Sequence, residues 1–294
     1  PLPDENIKMV KKIIDTLSVI HVHRDSLLSS IHNQIPALVA FVNRKELIFI
    51  DSTRPLVVRE TPVYMRGVAG ASISAPGFYE KDDTTYYNVT PLDNYSPAEA
   101  ESYLREYNFY AMQVLNIHEA VPGHYVQLIY SNNSNSRIGK IFSNGAMVEG
   151  WAVYSERMMM EEGYGDNPKG SGVMDTAMWL IYDKWHLRVI CNTLLDYGIH
   201  VLGMSENDVI NLLVNEAFQQ EAESKEKWKR ATLSQVQLCT YYSGYLEIYA
   251  LREELKEKLG SRFNLKEFHE KFLSYGSIPT RFIRQLLLEE YHLM

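Results

Sequence analysis

Asn116-Ile117-His118-Glu119-Ala120-Val121-Pro122-Gly123-His124 is the stretch on which the reading of this chain turns. Two imidazoles, with a carboxylate directly after the first, are the parts a hydrolytic metal site uses: the nitrogens hold the ion and the carboxylate moves a proton. In the usual zinc helix the histidines lie four apart and face the same way. Here they are six apart, about 600° along an ideal helix and so about 120° out of line. A straight helix would separate them. Pro122 lacks a backbone donor and crowds the preceding turn, while Gly123 tolerates unusual dihedrals, so a widened turn at Pro-Gly would swing His124 back beside His118. The alternative is a plain helix break between two unrelated histidines.

A third donor follows in Glu149-Gly150-Trp151-Ala152-Val153-Tyr154-Ser155-Glu156. A glutamate entering from the next helix would complete a two-histidine, one-carboxylate set. Its neighbours Ala146, Met147, Val148, Trp151 and Val153 are apolar, and a carboxylate in such company needs a partner. Glu156, two turns further along the same face, is a candidate acceptor for a ligand histidine.

Outward from this core, helical signals dominate. Residues 5–32 carry apolar positions at helical spacing (Val10, Ile13, Ile14, Leu17, Ile20) and predict a helix or helix pair. Glu46–Ile50, Leu56–Val58 and Tyr86–Thr90 are short β-favouring runs, predicting a small sheet within residues 45–91. Ser96-Pro97-Ala98-Glu99 starts a helix expected to run from Ala98 to about Ala120. Further helices are expected at Met147–Glu162, Met174–Gly198, Glu206–Gln219, Leu233–Lys258, Leu265–Tyr275 and Thr280–Leu293. Glu221–Arg230, with alternating charges, reads as a solvated helix face or loop. The expected fold class is mainly α (α+β), with a helical segment at 1–44 and a larger domain at 45–294.

Composition excludes several classes. The 294 residues are 46% hydrophobic and 22% charged, which rules out disorder as the main state. A net charge of −8 argues against nucleic acid. Two cysteines, Cys191 and Cys239, make neither a disulfide framework nor a cysteine-rich zinc site and read as buried thiols. No apolar run approaches the ~18 residues of a membrane span. Met158-Met159-Met160 reads as core packing rather than soft-metal chemistry.

The motifs together resemble the bacterial proteins grouped as domain of unknown function 885, which are metallopeptidase-like and similar in fold to the Taq-type zinc carboxypeptidases. HEAVPGH and EGWAVYSE carry the resemblance first. Glu60–Arg66, Tyr87-Asn88-Val89, Arg188, Asp196–His200, the set Arg230, Gln237, Tyr241 and Gly244, and Phe268-His269 through Pro279 extend it. It implies a zincin-like fold with its small sheet at the cleft. It also implies zinc held by His118, His124 and Glu149, and Glu119 as general base. A tyrosine, Tyr241 with Tyr242 as rival, and His200 would lie near the reacting carbonyl. Arg230 or Arg66 would pair with a substrate carboxylate, and the substrate would be a peptide or small amide. Ala231, Gln235 and Val236 depart from the family pattern and bear on the loop before Tyr241. Family members are about twice as long and include exported lipoproteins. This chain is therefore expected to be a C-terminal, metal-bearing half, placed in the periplasm or cell envelope. A non-catalytic fragment, or an amidase or esterase on a non-peptide substrate, are the competing expectations.

Overall fold

The computed structural model describes residues 4–67, 69–80, 84–166 and 176–293. It is mainly helical with one small sheet, as expected. In chain order the elements are α1 (Asp4–Ser18), α2 (Leu27–Arg44), β1 (Leu56–Glu60), β2 (Ala71–Ser74), β3 (Thr85–Val89), α3 (Pro97–Glu106), α4 (Phe109–Glu119), α5 (His124–Asn133), α6 (Arg137–Ile141), α7 (Gly145–Met159), α8 (Thr176–His200), α9 (Glu206–Asn211), α10 (Glu221–Leu233), α11 (Cys239–Leu259), α12 (Leu265–Ser274) and α13 (Thr280–Glu290). Met174, the expected start of one helix, lies outside the described residues.

The chain forms two compact units, each of three segments: 1–31, 91–115 and 163–239 in the first, 32–90, 116–162 and 240–294 in the second. This division does not follow the change of texture near residue 44. That change is local, whereas a unit is defined by contacts between distant segments.

Several local expectations are corrected. The long helix expected over Ala98–Ala120 is two helices, because Asn108 interrupts it: its Oδ1 accepts from the amides of Tyr110 and Ala111, and its Nδ2 donates to the Arg105 carbonyl. Glu46–Ile50 is not a strand. Leu47 and Ile48 are buried there without a ladder, and the Leu47 carbonyl serves His269 instead. The third strand is β2, Ala-Ser-Ile-Ser, whose small polar residues gave no strand signal. Glu221–Arg230 lies within α10, where Ser224 and Lys227 are buried rather than solvated.

In the second unit, β3 is the central strand, parallel to β1 and antiparallel to β2, with Tyr87 opposite both Val58 and Ile73. Its Tyr87 and Asn88 are fully buried. Helix α7 is apolar nearly all round, which marks a central helix. Trp151, Tyr154 and the methionines 158–160 are buried, as the packing reading of Met158–Met160 expects. Trp151 stacks on Phe272 at 5.8 Å between ring centroids, and His269 lies edge-on to Trp151.

His269 is fully buried and fixed from both sides. Its Nδ1–H donates to the Leu47 carbonyl at 2.7 Å, and its Nε2 accepts from the Tyr154 hydroxyl at 2.8 Å. Burial pushes its pKa down to about 4, which the Leu47 hydrogen bond opposes and the Arg252 charge reinforces. The neutral ring is thus the one the fold accepts. Between pH 6.5 and 4 the unfolded chain takes up a proton that the folded chain refuses, so this group's contribution is lost as the pH falls through that window. The expected loss is about 1.4 kcal/mol per pH unit. Denaturant unfolding at several pH values checks this: His269→Gln should lack that part of the slope, and an unchanged slope would refute it.

Candidate metal centre

The second unit contains both histidines of the opening stretch and Glu149. Helix α4 ends at Glu119 and α5 begins at His124, capped by Gly123. The connection is a widened turn rather than a simple break. Ala120 donates to the Asn116 carbonyl as in a regular helix, but Val121 donates to the same carbonyl, and Gly123 reaches back to the Ile117 carbonyl at 3.0 Å. The out-of-line angle of an ideal helix is thereby removed. The rings of His118 and His124 stand 4.8 Å apart and mutually perpendicular.

Gly123 is obligatory here. A Cβ on it would lie 1.9 Å from the His118 carbonyl oxygen and 2.3 Å from that of Ile117. Both are backbone atoms and cannot swing aside. Trp151 holds the turn from α7, its Nε1–H donating to the Pro122 carbonyl at 2.9 Å in the buried interior. Asn116, at the start of the turn, accepts from the Tyr87 hydroxyl of β3 and donates to Gln34.

Helix α7 brings Glu149 to the same point. Its Oε2 lies 3.7 Å from His118 Nε2 and 3.4 Å from His124 Nε2. One donor atom from each of the three residues falls within 4.8 Å of the others. Two turns along α7, the fully buried Glu156 accepts from His118 Nδ1 at 2.6 Å, which turns Nε2 toward Glu149. The sequence pointed to Glu156 by its two-turn offset.

Three carboxylates, Glu119, Glu149 and Glu156, surround the two imidazoles, so the field favours a cation. Burial alone would push His118 down. Hydrogen bonding to Glu149 and Glu156 and the charges of Glu156 and Glu119 outweigh it and raise His118 to about 10. Burial likewise opposes ionisation of Glu149, and the two histidines override it, holding the carboxyl below the usual range. Two imidazole nitrogens and a carboxylate oxygen, converging in a negative field, fit a divalent metal of the zinc type.

Of the further candidates, Glu119 is buried directly beside His118 in sequence, and the ring of Tyr241 lies nearly parallel to that of His118 at 6.2 Å. Tyr242 instead has its ring 6.0 Å from Tyr245. Tyr241 is carried in the first turn of α11, and α11 crosses α7 at a glycine pair. A Cβ on Gly150 would come within 2.4 Å of Gly244 backbone, and one on Gly244 within 1.8 Å of the Ala146 carbonyl oxygen. This crossing was not foreseen, because glycines within helical stretches give no sign of what they meet.

Arg66 follows β1 and donates to the Thr61 carbonyl and to Glu60. His200 and Arg230 belong to the first unit. There His200 Nε2–H donates to the carbonyls of Ala231 and Ser234, while Asp196 accepts from the amides of Val236 and Leu238. Together they grip the α10–α11 connection. Arg230 donates to Gln237 within it.

The model of the family described as bacterial proteins of unknown function, DUF885, matches residues 6–287. The chain belongs to this family. It is similar to the structure of a candidate lipoprotein of unknown function from Shewanella oneidensis, at 59% identity and a TM-score of 0.85 over 98% of this chain and 50% of that one. A candidate lipoprotein from Colwellia psychrerythraea has the same fold, at 19% identity and a TM-score of 0.79, over 99% of this chain and 51% of that one. The chain thus spans about half the length of both. No curated protein matches it.

Gly123→Ala should cost at least about 3 kcal/mol, the upper end of overpacking penalties, because only backbone can yield. Thermal unfolding checks this, and a Tm within a degree of wild type would show that the close approach is absent.

Proposed function

We propose that this DUF885 protein is a zinc-dependent hydrolase with a zincin-like centre, acting on peptides or small amides. The observation that carries the reading is the convergence of His118, His124 and Glu149 beside Glu119, with Glu156 orienting His118. Zinc at these donors would supply Lewis acidity toward a scissile carbonyl and lower the pKa of water. Glu119 is the residue to accept the proton from the attacking water and return it to the leaving amine. The Tyr241 phenol, its ring against His118, is suited to donate to the developing oxyanion. Arg66 is a candidate partner for a substrate carboxylate, with Tyr242 a further binding residue. Both similar proteins are candidate lipoproteins, which supports a place in the cell envelope. Among the described residues no helix is long and apolar enough to cross a membrane.

The centre is tested by metal analysis after purification without chelators, together with the Tm rise on adding zinc. Wild type should hold about one equivalent and be stabilised, while His124→Ala should do neither. Glu156→Gln should weaken zinc affinity by about 10–100-fold. The chemistry is tested with peptides bearing free and blocked termini. Glu119→Gln should keep its metal and lose about 10²–10⁴-fold in hydrolysis. Equal hydrolysis by both proteins would refute Glu119 as the general base, and retained metal with no hydrolysis by wild type would leave a metal-binding protein.

A further inference from the structure

The first unit carries a second polar constellation, made of residues other than the three metal donors. Helix α8 sets Lys184, Arg188, Asn192 and Asp196 at four-residue intervals, a single stripe along one face. Helix α10 contributes Glu223 and Lys227 at the same interval, and α3 ends on Glu106, followed by Tyr107. Helix α10 packs on both α3 and α8. A charged stripe on an exposed helix would be solvated, but Lys184, Asn192, Asp196, Lys227 and Glu106 are each at most 6% exposed.

The ion pairs inside this seam leave one cation over. Lys184 donates to Glu106 Oε2 at 2.7 Å, and the same oxygen accepts from the Gln220 amide. Arg188 Nη2 pairs with Glu223 and donates to the Tyr107 hydroxyl. Those two ion pairs engage Glu106 and Glu223, Asp196 is turned to the amides of Val236 and Leu238, and Lys227 has no ion pair among the described residues. Arg188 and Arg230 repel its ammonium, and only the already engaged Glu223 and Glu106 attract it. The other arm of the guanidinium, Arg188 Nη1, is buried with no hydrogen bond to a described residue. Gln219, next to Gln220, is buried with both amide atoms in the same condition.

A guanidinium donor withdrawn from water and an ammonium on a side chain only 4% exposed both need an acceptor. If Lys227 sheds its proton, the Arg188 donor is still unmet, because a guanidinium stays charged. One small anion answers both. We propose that Lys227 and Arg188, between α8 and α10, form a binding site for a single small oxyanion. The shared chemistry is a carboxylate or a small inorganic oxyanion, whose lone pairs accept from the Lys227 ammonium and from Arg188 Nη1. The site is independent of the metal donors and of the hydrolytic reading.

The experiment is a thermal-shift titration of the full chain at fixed ionic strength, with acetate, phosphate, N-acetylglycine and N-acetylglycinamide, and chloride as reference. Wild type should show a saturable rise, about 4 °C at a 100-fold excess over Kd, with an oxyanion and not with chloride. A larger rise with acetate and N-acetylglycine than with phosphate or the amide assigns an organic carboxylate, and the reverse order assigns an inorganic ion. Lys227→Met should abolish the rise while melting no lower than anion-free wild type, since it removes an uncompensated buried charge. No rise above chloride in wild type, or the same rise in Lys227→Met, overturns the proposal. Should Lys227→Met and Lys227→Gln both fail to fold, calorimetry on wild type decides: one-to-one binding heat sustains the site, and none overturns it.

Discussion

The passage of the chain from α4 to α5 is the constraint on which the three-donor centre depends. Within five residues the backbone has to leave one helix, double back on its own carbonyls and start another with His124 facing His118. The two amides that reach back, Val121 to Asn116 and Gly123 to Ile117, keep the turn's polar groups satisfied in a buried place where unpaired ones are costly. The same closeness removes any room for a side chain at Gly123. Ligand geometry and backbone hydrogen bonding are here one fact seen twice.

The rest of the second unit holds that turn still. The sheet reaches it through Tyr87 and Asn116, and α7 reaches it through Trp151 and Pro122. Because α7 also bears Glu149 and Glu156, the helix that clamps the turn delivers the carboxylates. Its crossing with α11 at Gly150 and Gly244 brings the two backbones close, and the first turn of α11 bears Tyr241. Removing a methyl's worth of volume at two positions thus governs where an aromatic ring sits relative to an imidazole.

Much of this was legible in the residues. His118, Glu119, His124, Glu149 and Glu156 announce themselves by type, spacing and apolar company, and a widened turn at Pro122-Gly123 follows from the six-residue interval. Other features were not. Asn108 looks like any polar residue in a helix until its side chain is seen occupying two backbone amides. The strand Ala71–Ser74 is only four residues with a single large apolar side chain, and it exists because β3 offers it a ladder. Lys227 sits in a run of alternating charge that reads as solvated, and only the packing of α10 on α3 and α8 withdraws it from water.

By itself the sequence determined the helical class and the family, and it singled out His118, His124 and Glu149, because these rest on residue type and short-range spacing. It also required something unusual at Pro122-Gly123. The tertiary structure alone decided that the turn closes the donors to within 4.8 Å, and that Tyr241 rather than Tyr242 lies against His118. It alone decided that His200 and Asp196 grip the α10–α11 connection. Those outcomes depend on contacts between segments far apart in the chain. No local pattern encodes which backbone a glycine will touch or which carbonyl a buried ring will find.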